Sequence, residues 1–281
     1  MSIPTPVPAG SPDLVPPAPG PWQVLAACLT VTWPDRLPAL QEALDRLRDT
    51  GARVFEVVVG SPAGAYGPRV TLDPGPDVGG QARRLGFADH PWGPPSWYGL
   101  RVGPGGAVTL KPYHRAALVP TDLPRPPGLP DGLVTELAAL VGGRCEQYLR
   151  RPEPAAWEPF AEACAALVGA PAPRCRPAPA ARPWAHAVSL RTDDGVLSAV
   201  TLYAEDRCLP GDAGIVPAWS EGLDRTDRRA YEAAVGGVRA LGGEDPHGVH
   251  AMLAWSVEAD GARHRSVSLR ISDRPGASSS G

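Results

Sequence analysis

One strand signature, V-[TS]-L, restricts this chain more than any other feature, because it recurs as the second strand of four hairpins. The copies are Val70-Thr71-Leu72, Val108-Thr109-Leu110, Val200-Thr201-Leu202 and Val267-Ser268-Leu269. Each follows an alternating run across a turn: Phe55 to Val59, Trp97 to Val102, Val188 to Thr192 and Met252 to Val257. Turn residues and a period of two together predict antiparallel hairpins, and the repetition predicts an internally repeated architecture.

Helical spacing fills the gaps. Leu37, Leu40, Leu44 and Leu47 stop at Gly51, and Leu133, Leu137, Leu140 and Val141 continue toward Tyr148. Trp157, Phe160, Cys164, Leu167 and Val168 form a third pattern, and Tyr231, Val235, Val238 and Leu241 a fourth that ends at Gly242-Gly243. A chain of hairpins and helices in this order predicts an α+β fold, an antiparallel sheet closed or nearly closed into a barrel and wrapped in helices. The run Val24 to Trp33 either adds a strand or leaves the barrel short.

Strand parity separates two faces. Val70, Leu72, Val108, Leu110, Val200, Leu202, Val267, Leu269 and Ile271 share the face that meets the helices. The other face carries Glu56, Arg69, Thr71, Arg101, Lys111, Tyr113, Ser189, Arg191, Thr201, Tyr203, Ser268 and Arg270. In a closed barrel these line a polar, cationic and partly aromatic lumen suited to an anionic ligand with an apolar tail. In an open sheet the same residues form a solvated face.

Bulk charge narrows the partners. Against 30 acidic residues stand 27 basic ones, a formal charge of −3, so the basic footprint of a nucleic-acid binder is absent. Lys111 is the only lysine among those basic residues. No apolar run is long enough for a membrane helix, and the Pro/Gly/Ala/Ser tract at the start lacks the basic and apolar regions of a signal peptide. A cytoplasmic protein is expected, with its 5 cysteines reduced. Asp193-Asp194-Gly195 reads as a hairpin turn and not as a metal-binding aspartate pair, D-D-x-x-D is absent, and His247 and His250 lack a third zinc ligand. No metal site is expected, nor a dinucleotide motif or a nucleophile elbow.

The segment Val54 to Val59, a loop, then Pro68-Arg69-Val70-Thr71-Leu72-Asp73-Pro74 resembles the first hairpin of the aromatic prenyltransferases of the dimethylallyltryptophan synthase type, especially the bacterial indole prenyltransferases. Val108 to Tyr113 is similar to their K-x-Y strand, and Ala199 to Tyr203 and Ser266 to Ser272 resemble their last two hairpins. The resemblance runs from about residue 53 to 273 and rests on order and spacing. It implies the PT barrel, also called the ABBA fold, of ααββ repeats over residues 22–274, with a Pro-rich disordered leader at 1–21, a flexible tail at 275–281 and one repeat reduced.

The implied chemistry is transfer of a prenyl group, usually dimethylallyl, from its diphosphate to an aromatic small molecule or peptide, indole above all. Ionisation of the allylic C–O bond places negative charge on the diphosphate and positive charge on the allyl group. Fixed cations stabilise the first and aromatic faces shield the second. By resemblance, Glu56 holds the indole N–H. Arg69 and Lys111 bind diphosphate with Tyr113, and Tyr113 and Tyr203 form the cation shield. Arg191 and Arg270 are further cations on the same parity. The diphosphate is a co-substrate, and neither cofactor nor metal is expected. The family's R-x-K-x-Y strand in mid-chain is not found in the sequence, and Arg270 replaces a late tyrosine. An alternative therefore stands: a decayed barrel that binds an isoprenoid or aromatic ligand without turnover.

Overall fold

Alternating valines, leucines and polar residues build strands whose apolar side needs a cover, and helices from the intervening segments supply it. The computed structural model describes residues 21–32, 35, 38, 42, 52–62, 68–102, 107–173, 184–205, 211–241 and 248–271. Ten strands form one closed barrel: β1 (Arg53–Ser61), β2 (Arg69–Asp73), β3 (Trp97–Val102), β4 (Val108–Arg115), β5 (Val134–Val141), β6 (Arg144–Ala156), β7 (Trp184–Asp193), β8 (Val196–Glu205), β9 (His250–Glu258) and β10 (Arg263–Arg270). Every strand pairs antiparallel with its neighbour in sequence, and β1 with β10 closes the ring. All four V-[TS]-L segments lie in strands, β2, β4, β8 and β10, each paired with the run expected for it.

The helices are α1 (Pro21–Thr32), α2 (Val78–Arg84), α3 (Trp157–Ala166), α4 (Gly211–Ser220) and α5 (Arg225–Leu241). α5 buries Ala230, Tyr231, Ala234 and Val238 along one stripe, and the Asp224 carboxylate caps its start by accepting the Asp227 N–H at 2.8 Å. α1 packs on α5 so closely that a Cβ on Gly237 would lie 2.9 Å from a Val24 methyl. α3 lays Trp157 edge-on against Trp255 of β9, with ring centroids 4.7 Å apart. The core therefore sits between barrel and helices. It contains or packs against every residue expected on the helix-facing parity, Val70 through Ile271. No helix among the described residues is long and apolar enough to cross a membrane.

Two expectations are corrected. Leu133 to Tyr148 does not form a helix: it is the β5–β6 hairpin, turned by Gly142-Gly143, with Gly142 at φ 60°. Val24 to Thr32 supplies helix α1 and no strand, and the barrel is complete without it. The Asp193-Asp194-Gly195 turn is as expected, with φ 50° at Asp194 and 82° at Gly195 as a two-residue type I′ turn requires. His250 is buried and bonded to the Tyr231 hydroxyl at 2.8 Å. Residues 1–20 of the expected leader, the Leu37 to Leu47 pattern, Gly103 to Gly106, His247 and the C-terminal tail lie outside the described residues, while Pro21, given to the leader, opens helix α1.

On the outer wall His114 is fully buried, stacked on His90 at 4.1 Å with Trp92 edge-on, and its Nε2 lies 3.1 Å from the Gly93 carbonyl. Burial, then the neighbouring His90, lowers its pKa from 6.5 to about 4. The unfolded chain therefore takes up this proton first. Stability is expected to fall as pH drops from about 6.5 toward 4, by on the order of 3 kcal/mol for this group. Urea midpoints measured across that range should show the loss, and His114→Phe should remove this share of it. A Phe variant with the wild-type slope would contradict the assignment.

Candidate functional site

Closure brings the lumen parity together around one cavity of about 440 Å³. Its walls include Arg69, Arg101, Lys111, Tyr113, Glu146, Arg191, Tyr203 and His264, and it reaches the β5–β6 and β7–β8 turns through Gly143, Arg144, Asp193 and Asp194. A volume of that size holds a small organic ligand.

At the centre, the Lys111 ammonium donates to the Glu146 carboxylate and, at 2.9 Å, to the Tyr148 hydroxyl. The same ammonium stands 5.1 Å from the Tyr113 ring centroid and 5.3 Å from that of Tyr148. The second carboxylate oxygen of Glu146 accepts from Ser189 at 3.1 Å, and the Ser189 hydroxyl is also 3.1 Å from that of Tyr203. Burial pushes the Glu146 carboxyl up, but the Lys111 ammonium, the Tyr148 hydroxyl and the charge of Arg69 together bring it down to about 2. The carboxylate is thus ionised at neutral pH. Burial, followed by the negative charge of Glu146, raises both Tyr148 and Tyr203, which keeps these phenols protonated. Tyr113, Tyr148 and Tyr203 form one aromatic wall, with centroids 5.6 and 6.2 Å apart along the series. Gly99 makes room for it, since a Cβ there would lie 3.0 Å from the Tyr113 ring.

The other cations divide into paired and unpaired. Arg191 holds Glu258 through two nitrogens at 2.9 and 3.4 Å, and Arg144 donates to Asp193 at 2.6 Å. Arg69 and Arg101 are cross-strand partners in β2 and β3. Arg69 meets only the Ser266 hydroxyl, at 3.4 Å, and neither guanidinium pairs with a carboxylate among the described residues. Like charges directly opposite on a sheet repel, so an anion set between the two would relieve that repulsion. His264 faces the same space. Its burial, then the charges of Arg69, Arg101 and Arg191, lower its pKa to about 3, so the imidazole is neutral.

Arg69, Lys111, Tyr113, Arg191 and Tyr203 are therefore brought together, though Lys111 and Arg191 arrive already paired. Glu56 and Arg270 are not among the cavity-lining residues. They are each other's Cα partners across β1 and β10, and Glu56 accepts from Thr71 Oγ1 at 2.7 Å. Following the register through Thr71 and Gly99 separates Arg270 from Lys111 by four strand spacings, about 19 Å of sheet. Sequence reasoning missed Arg101's role beside Arg69, and Glu146, Tyr148 and His264 altogether. β6 opens Arg144-Cys145-Glu146-Gln147-Tyr148, which is R-x-E-x-Y where the resemblance led one to expect R-x-K-x-Y. The two glycines before it were the available signal.

Gly99→Ala is expected to leave stability nearly unchanged, since its backbone is open to any residue, but to displace the Tyr113 ring. If the cavity carries out the transfer that the resemblance implies, turnover should then drop about tenfold, because sub-ångström placement of groups around a reacting centre is costly to lose. An Ala variant with the wild-type rate would remove the Tyr113 ring from the reacting space.

A closed ten-stranded antiparallel barrel clad in helices has the fold called the PT barrel, that of aromatic prenyltransferases. Solved structures with this fold match it over most of their length. 5-Dimethylallyltryptophan synthase from Streptomyces coelicolor is 16% identical, with 89% of this chain and 96% of that chain covered and a TM-score of 0.57. Prenyltransferase PriB, solved as a ternary complex with L-tryptophan and dimethylallyl thiolodiphosphate, is 17% identical over 89% and 94%, with a TM-score of 0.59. AnaPT from Neosartorya fischeri is 10% identical over 90% and 92%, with a TM-score of 0.56. No protein-family model and no curated protein sequence matches the chain.

Proposed function

We propose that the protein is an aromatic prenyltransferase, moving a prenyl group, dimethylallyl first, from an allylic phosphate ester to an aromatic ring of the indole class. The observation that carries this is the lumen itself: the guanidiniums of Arg69 and Arg101, which no carboxylate pairs among the described residues, line one cavity together with Tyr113 and Tyr203, and the Tyr148 ring lies between those two tyrosines. The guanidinium pair takes the charge that develops on the leaving phosphate oxygens. The tyrosine faces stabilise the allyl cation by about 0.5–2 kcal/mol each and exclude water that would quench it. The ring carbon then adds, and the ring proton leaves to a base. Neutral His264 lines the same cavity, and even a weak base suffices for so acidic an intermediate. PriB and the Micromonospora olivasterospora 6-dimethylallyltryptophan synthase were solved with tryptophan and a thiolo analogue of dimethylallyl diphosphate, which makes tryptophan the first acceptor to offer.

Glu146 favours a second reading. A carboxylate that consumes the charge of Lys111 is what a barrel that has lost turnover but kept a ligand would contain. The two readings separate on incubation with dimethylallyl, geranyl and farnesyl donors and a panel of indoles, phenols and Trp or Tyr peptides. Mass spectrometry should find an acceptor heavier by one prenyl unit. Binding of donor with every acceptor unchanged would select the second reading. Turnover is expected to persist in EDTA, because side chains supply the countercharge to phosphate; complete loss, restored by magnesium, would overturn that.

A further inference from the structure

The cavity is cationic toward one end and aromatic toward the other, and strand register gives the order. Counted from the hairpin end, β4 sets Thr109, Lys111 and Tyr113 on the lumen side, β6 sets Arg144, Glu146 and Tyr148, and β8 sets Ala199, Thr201 and Tyr203. Tyrosine holds the third of these places on all three strands. Arg101 lies across from Thr109, and Arg69 across from Arg101, so the two guanidiniums stand nearer the turns than the three rings do. The cavity reaches the turns beside Gly143 and Asp194 and ends at the tyrosines. Tyr113 and Tyr203 line it, whereas the lumen-parity residues farther from the turns, Thr71, Ser268, Glu56 and Arg270, do not.

A chain of hydrogen bonds fixes that aromatic level. Lys111 donates to the Tyr148 hydroxyl at 2.9 Å and to Glu146, Glu146 accepts from Ser189 at 3.1 Å, and the Ser189 and Tyr203 hydroxyls are 3.1 Å apart. Its two ends are therefore Tyr148 and Tyr203, whose ring centroids are 6.2 Å apart. Ser189 and Tyr203 are buried, and close packing leaves neither room to shift. Resting on the transferase reading, we propose that the tyrosine layer is the floor of the donor's tail pocket and sets the tail's length, admitting a dimethylallyl chain and rejecting a geranyl one, with Lys111, Glu146 and Ser189 as the positioning residues that hold it. The diphosphate lies toward the turns on Arg69 and Arg101, so the tail points at the rings. The further carbons of a geranyl chain have no space to enter unless a ring moves. The glutamate of the R-x-E-x-Y strand then serves the floor, by tying Lys111 to it on one side and Ser189 on the other.

Calorimetry with dimethylallyl diphosphate and geranyl diphosphate on the intact protein tests this without requiring turnover. In a cavity with no floor the longer chain binds tighter, because it buries more apolar surface. The wild type is expected to reverse that order and to bind the dimethylallyl ester at least about tenfold tighter, since forcing methylenes into filled space is costly. Tyr203→Ala should restore the order of a cavity without a floor. Tyr203→Phe, which keeps the ring and loses its tie to Ser189, should fall between the two. Geranyl diphosphate bound by the wild type as tightly as dimethylallyl diphosphate overturns the inference and leaves the transferase reading in place. Equal discrimination by the wild type and Tyr203→Ala removes the ring as the limit, and wild-type discrimination in Tyr203→Phe removes the positioning role. Binding of neither ester overturns both readings. The wild-type comparison decides even if a Tyr203 variant does not fold.

Discussion

Replacing Arg69 with Ala is expected to weaken binding of a dimethylallyl phosphate ester by about 10- to 100-fold, the equivalent of one hydrogen-bonded charge worth about 1.5–3 kcal/mol. The effect should be large because, among the described residues, Arg69 is one of two lumen guanidiniums that no carboxylate pairs. Binding of a neutral indole should be nearly untouched, since the tyrosine wall remains. Calorimetry with each ligand separately measures both. Equal losses for the two would point to collapse of the lumen, and no loss for the ester would move the anion elsewhere.

Lys111→Met is expected to lower turnover at least tenfold and to cost about 2 kcal/mol of stability, a figure reduced from that of a fully buried pair because both side chains keep some water contact. The mutation leaves the Glu146 carboxylate without its ammonium and removes the donor to Tyr148. pH dependence distinguishes this from simple loss of packing. In the wild type the Glu146 carboxyl lies below its ordinary value of 4.5, so the stability it contributes is present above about pH 4.5 and is lost as pH falls toward 2. Without Lys111, burial acts with less opposition and this contribution should shrink or vanish. Adding Glu146→Gln to Lys111→Met should recover much of the stability but not the turnover. Stability of the double variant no better than that of Lys111→Met alone would contradict the coupling.

How far the sequence could be read follows from what each residue pattern encodes. The V-[TS]-L strands were legible because valine and leucine alternate there with polar residues, and a period of two has one structural reading. The β5–β6 hairpin was not. Leu133, Leu137, Leu140 and Val141, with alanines and a glutamate between them, carry helical spacing and helix-favouring residues, and pairing with β4 and β7 overrides that preference. Losing the hairpin hid Glu146 and Tyr148 and made the barrel look incomplete. Parity placed Glu56 and Arg270 on the lumen side with Lys111, yet it gives the face of a residue and not its height or its strand's place around the ring. Strand tilt and register put that pair away from the cavity walls. The charge of the site was equally hidden, because a basic residue in sequence does not reveal the carboxylate that will neutralise it. Arg191 and Glu258 are 67 residues apart and become a pair only through the β7–β8–β9 register.

Whether the lumen ionises an allylic phosphate ester is tested most directly by positional isotope exchange. A dimethylallyl ester labelled with oxygen-18 in the bridging position is bound together with a fluorinated tryptophan too poor a nucleophile to be alkylated. If the C–O bond breaks and re-forms in the cavity, the phosphate rotates and the label scrambles into non-bridging positions. Scrambling is expected with the wild type and should be lost with Arg69→Ala. A label that stays in the bridge while calorimetry shows the ester bound would mean that the lumen holds its ligand without activating it.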